Sequence, residues 1–180
     1  MRRLRVFLSW LAMLSSASLC AAQAQRLVGD VSPASVRGRA TVSEVINRTP
    51  ATNPVRDLQV YLFAAESVKP FEDLQHKCRR AMAQPKADPD YTYRLCEAAL
   101  AEAVQLIPTL PAVAEAKTGA DGAFSFEHVA PGKLYHVIGV KSGEDGSPIV
   151  IVVKTARLRP GQQIAVELSE NTPWTGATAE

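Results

Sequence analysis

Two short runs constrain this chain more than any other feature: LYHVIGV (Leu134–Val140) and PIVIVV (Pro148–Val153). Each is apolar at successive positions, rich in β-branched residues, and bounded by Gly, Asp, Ser or Pro, so each reads as a strand. A strand apolar on one side can leave its other side in water. A strand apolar on both must be covered twice. The fold therefore needs a core on one side of these strands and a second apolar surface on the other.

Most of the other extended segments alternate. PASVRGRATVSEV sets Val36, Gly38, Ala40 and Val42 on one face, and LQVYLFA sets Leu58, Val60 and Leu62 opposite Tyr61 and Phe63. AFSFEHV aims Phe124 and Phe126 the same way, and QIAVELS closes with Ile164, Val166 and Leu168 inward. Between these lie INRTPATNPVRD, expected as a turn-rich loop, and the turns GADG, APG, EDGSP and RPGQ. Asp121-Gly122 supplies the positive φ of a tight turn, so the stretch from Ala116 to Val140 is expected to be a hairpin. About seven short strands with turns between them predict an all-β sandwich.

The second apolar surface comes from residues 70–110. Phe71, Leu74, Cys78 and Met82 recur at helical spacing after Pro70, and Cys96, Leu100, Ala103 and Ile107 share one side of a second helix. Pro108 and Pro111 end it. Two antiparallel helices bring Cys78 and Cys96 together, which predicts a disulfide stapling a helical hairpin that folds back on the doubly apolar strands. Without a C-x-x-C pair, that bond is expected to be structural, not redox-active.

The N-terminus carries Arg2, Arg3 and Arg5, then VFLSWLAML, then small residues and the triplet Ala22-Gln23-Ala24. That order is expected of a secretory signal, residues 1–24, cleaved after Ala24 for export to the periplasm or beyond. Lipidation at Cys20 is the competing outcome, disfavoured by Leu19 before it. Without residues 1–24 the chain keeps 17 basic against 18 acidic residues and two cysteines. A nucleic-acid partner needs a basic stripe, and none remains; no later segment is long and apolar enough to span a membrane as a helix. A paired cysteine count suits an oxidising compartment.

The run KTGADGAFSFEHVAPGKLYHV resembles the signature of the carboxypeptidase regulatory-like family, whose members are transthyretin-like, Cna-B-type sandwiches. Thr118, Asp121, Gly122, Phe124, Phe126, Val129, Pro131, Gly132 and Tyr135 carry the resemblance, with one extra residue at Lys133-Leu134. VRGRATV, PVRDLQVYLF and GQQIAVELS are similar to the family's first two and last strands. The resemblance implies an Ig-like sandwich over residues 25–168, with the helical insertion at about 70–110 departing from the pattern and residues 169–180 as a tail.

No catalytic constellation accompanies it. His76, His128 and His136 lack the spacing of a zinc peptidase. The purine-pathway hydrolases of transthyretin type end in Tyr-Arg-Gly-Ser, and this chain ends PWTGATAE. Arg37 and Arg39 stand where a self-crosslinking sandwich needs a Lys nucleophile. GADG and GEDGS hold too few acids for a calcium loop, and no G-x-S-x-G or phosphate-binding loop occurs. The expectation is an exported, non-enzymatic interaction or structural module without cofactor or metal, whose partner is an envelope or extracellular protein. The alternative is a carbohydrate-binding module of the starch-binding-like type. For that, Trp174 in the tail and Tyr91 and Tyr93 at the start of the second helix are the candidate stacking residues; Trp174 can equally pin the tail to the sandwich.

Overall fold

The computed structural model describes residues 32–46, 49–84, 88–142 and 148–169. The expected signal with Ala24 and Cys20, the loop GEDGS and the tail with Trp174 lie outside the described residues. In chain order the elements are β1 (Ala34–Ile46), β2 (Thr49–Pro54), β3 (Gln59–Ala64), a 3₁₀ turn (Ala65–Val68), α1 (Lys69–Met82) and α2 (Pro89–Leu106). A second 3₁₀ turn (Ile107–Thr109) leads to β4 (Ala114–Lys117), β5 (Ala123–Val129), β6 (Tyr135–Ser142), β7 (Pro148–Lys154) and β8 (Gln163–Ser169).

The strands form two four-stranded sheets. In the first, β1 is central: β5 pairs with its opening half and β2 with its closing half, both antiparallel, while β8 pairs parallel along its other edge. The second has the order β4-β3-β6-β7 and is antiparallel throughout. Val36, Ala40, Phe124, Phe126 and Leu168 from the first sheet share one core cluster with Val60, Leu62, Val137 and Ile151 from the second, the arrangement of a β-sandwich. The Phe124 ring occupies the space a side chain would take at residue 38; a Cβ on Gly38 would collide with it.

Two expectations are corrected. The segment expected as a loop between the first two strands contains β2, so eight strands are described, not about seven. Its cause is the length of β1, whose pairing with β5 ends at Arg39 and leaves Thr41–Ile46 to be satisfied. TPATNP does so despite its prolines because it is an edge strand, where a missing N–H can face solvent. The second correction concerns GADG. β4 belongs to the second sheet and β5 to the first, so this turn is not a hairpin; it carries the chain across the sandwich.

Side-chain hydroxyls hold that crossing. Thr118, 4 % exposed, donates through Oγ1 to Val55 O at 2.7 Å and accepts from the Leu58 N–H at 2.9 Å, tying the turn to the β2–β3 crossing. At the turn's far end, Gly122 O accepts from the Ala40 N–H at 2.9 Å. The same device recurs at the opposite end of β5. There buried Thr155 accepts through Oγ1 from the Tyr135 N–H at 3.1 Å, and the Tyr135 hydroxyl donates to Ala130 O at 2.7 Å. Gly132 and Leu158 bond across the same corner. Each buried hydroxyl satisfies backbone groups that a crossing chain cannot offer to a ladder.

The doubly apolar strands divide their side chains between two clusters. On β3, Tyr61 and Phe63 point away from the sandwich core; Ile138 on β6 and Val150 and Val152 on β7 do the same. Phe71 and Leu74 of α1, with Ala103 of α2 and Ile107 of the second 3₁₀ turn, pack on them. The helices leave and rejoin the sheet at neighbouring points: Leu62 faces Ala114 in the β3–β4 ladder, and the Val113 N–H donates to Leu62 O at 2.7 Å.

Candidate functional site

The two ends of the helical pair differ. Near the sheet, α1 buries Phe71, Leu74 and Gln75, and α2 buries Ala99 and Ala103. Beyond Leu74 on α1 and before Leu100 on α2, no helix residue belongs to the cluster shared with the sheet. Pro89 opens α2, and Asp88 caps it by accepting the Asp90 N–H at 3.0 Å. Cys78, fully buried, is joined to Cys96 with the Cα atoms 4.8 Å apart. Replacing both cysteines by Ala is expected to lower the free energy of unfolding by about 3 kcal/mol, from the entropy regained by a loop of this size; chemical denaturation checks it, with reduction of the unsubstituted protein giving a similar loss.

Around that bond lie three of the five large apolar or aromatic residues exposed among the described ones: Met82, Tyr91 and Tyr93, from 52 to 69 % accessible. Met82 was expected on the buried stripe with Phe71, Leu74 and Cys78, and it is not there. The stripe outruns the surface it packs on. A concavity of about 410 Å³ is lined by Met82, Gln84, Pro89, Thr92, Tyr93 and Cys96. A second, of about 390 Å³, takes Lys77, Arg80 and Tyr91 among its walls.

The structure does not bring Tyr91 and Tyr93 together. Two positions apart on a helix, their side chains leave in directions about 200° apart, and they line different concavities. Cys78 and Cys96 are brought together. His128 and His136 are separated: His128 is exposed in an irregularity of β5 at φ 57°, in the first sheet, and His136 is buried in the second. Among the described residues no group of three or more His, Cys, Asp or Glu could hold a metal ion, and no helix is long and apolar enough to cross a membrane.

His136 is the residue that sequence reasoning left undeveloped. It sits on the face of β6 that also carries Ile138, under α1, and is 4 % exposed. Its Nε2 lies 3.8 Å from Glu72 Oε1, an oxygen that also takes Lys154 Nζ at 2.9 Å. Burial pushes the imidazole below its ordinary pKa, Lys154 adds to that, and Glu72 opposes it. The signal was present in LYHVIGV: a His on the strand face that needs a second cover must be buried with it.

Set against known proteins, the chain matches no family model and has no significant match among the curated proteins.

Proposed function

We propose that the protein is an exported, non-enzymatic interaction module in which a carboxypeptidase regulatory-like, Ig-like sandwich displays a disulfide-stapled helical hairpin to a protein partner in the periplasm or outside the cell. One observation carries this: the concentration of Met82, Tyr91 and Tyr93 in water at the stapled end of the hairpin. Exposed aromatics and Met beside a concave surface are the composition of binding centres, where a few such anchors dominate the affinity. The disulfide fixes the backbone under them, so little ordering cost is added on binding. The order of charge, apolar run and Ala22-Gln23-Ala24 supports export, and the nine residues from Thr118 to Tyr135 support the family. A polysaccharide partner is the second outcome; it calls for two rings presented side by side, and Tyr91 and Tyr93 diverge.

The double substitution Met82→Ser with Tyr93→Ser is expected to weaken capture of the partner from envelope extracts by at least about 30-fold, the equivalent of one strong anchor, while leaving the unfolding midpoint within error because both residues are exposed. A photo-crosslinker at residue 93 should label the same partner. Undiminished capture by the double variant would take the interaction surface off the hairpin, and binding on a glycan array would replace the protein partner by a polysaccharide.

A further inference from the structure

The packing between the helical pair and the second sheet is mainly apolar, with His136 buried on the sheet and Gln75 buried on α1. The His136 Nδ1 is buried without a hydrogen-bond partner among the described residues. Its other nitrogen faces a carboxylate that a lysine already engages. The charged groups that act on the ring come from two elements. Glu72 comes from α1, and Lys154 is opposite His136 in the β6–β7 ladder. The residue opposite in β3, Phe63, is uncharged. The helices are bonded covalently to each other at Cys78–Cys96 and rest on the sheet through side-chain contacts.

We propose that His136 makes the docking of the helical pair onto the sheet sensitive to pH, the pair loosening as the medium turns acid. With the helices lifted, the outer face of β6 meets water and the imidazole recovers its ordinary proton affinity, near 6.5. Docked, it binds a proton less readily, because desolvation and Lys154 outweigh Glu72. The lifted form therefore carries more protons in the window below 6.5, and docking weakens as pH falls through that window. Above it, His136 is neutral in both forms and docking is at full strength. Within the window the opening constant rises by at most about tenfold per pH unit. Phe71, Leu74 and Ile107 do not titrate, so the docked form stays the major one and the change is read in opening rates.

Amide hydrogen exchange of the purified protein at pH 7.5 and pH 5, corrected for intrinsic rates, tests this. Protection in α1 and α2 is expected to fall several-fold to about tenfold at the lower pH relative to β1 and β5. The ring proton signal of His136, followed by NMR in the unsubstituted protein, should titrate below 6.5. His136→Gln, neutral at both pH values, should abolish the difference. If that variant does not fold, Glu72→Gln removes the one group favouring the charged ring and must steepen the loss. Equal helix protection at both pH values, an unchanged difference in His136→Gln, or titration of His136 at or above 6.5 would overturn the proposal.

Discussion

Phe71→Ala should lower the free energy of unfolding by about 4 kcal/mol and strip protection from both helices before the sandwich is affected. The ring is fully buried and is the largest side chain that α1 brings to the sheet, meeting the cluster built on Tyr61, Phe63, Ile138, Val150 and Val152. Truncating a buried Phe forfeits its transfer free energy and leaves a void that neighbours only partly fill. Because α1 and α2 are tied at Cys78–Cys96, a defect at Phe71 reaches Ala103 and Ile107 as well. Thermal or denaturant unfolding gives the size of the effect, and exchange by segment gives its place. Loss spread evenly over β1, β5 and β8 would show that the helical pair and the sandwich unfold as one unit.

Gly122→Val is expected to cost about 4 kcal/mol, through the sandwich and not through the helices. Residue 122 has φ 75°, where a β-branched side chain is strained. A Cβ there would also collide with the carbonyl oxygen of Ala40 and sit 3.2 Å from Pro54 Cβ. The Ala40 carbonyl is not free to retreat, since it accepts from the Val55 N–H at 2.9 Å. Strain and overpacking add at one point where two crossings meet. Circular dichroism and a urea titration of the purified variant would check it; a loss under 1 kcal/mol, roughly that of an ordinary surface change, would mean the turn has another shape in solution.

Much of the layering was legible because side-chain alternation is a local property. Leu58, Val60 and Leu62 go to one cluster and Tyr61 and Phe63 to the other, as the two-residue period of the strand requires. The need for a second cover over β6 and β7 was legible for the same reason. What a strand pairs with is not local. Asp121-Gly122 fits a hairpin and a crossing equally well; Thr118 decides between them by bonding to Val55 and Leu58, some sixty residues upstream. At the candidate site, helical spacing brought out Cys78 and Cys96 but misplaced Met82, because periodicity does not tell where the supporting surface stops. Tyr91 and Tyr93 were legible as exposed aromatics, and their divergence follows from helical geometry.

The narrow root of the helical excursion has a consequence for the sheet beneath it. Leu62 and Ala114 are ladder partners, so the excursion that leaves after Ala64 and returns at Ala114 hangs from a gap that a short bend could close. Shorn of it, however, the molecule would show a bare greasy plane of Tyr61, Phe63, Ile138, Val150 and Val152. A plane of that kind invites association or aggregation. Whatever else the helices do, they deny that plane to other molecules.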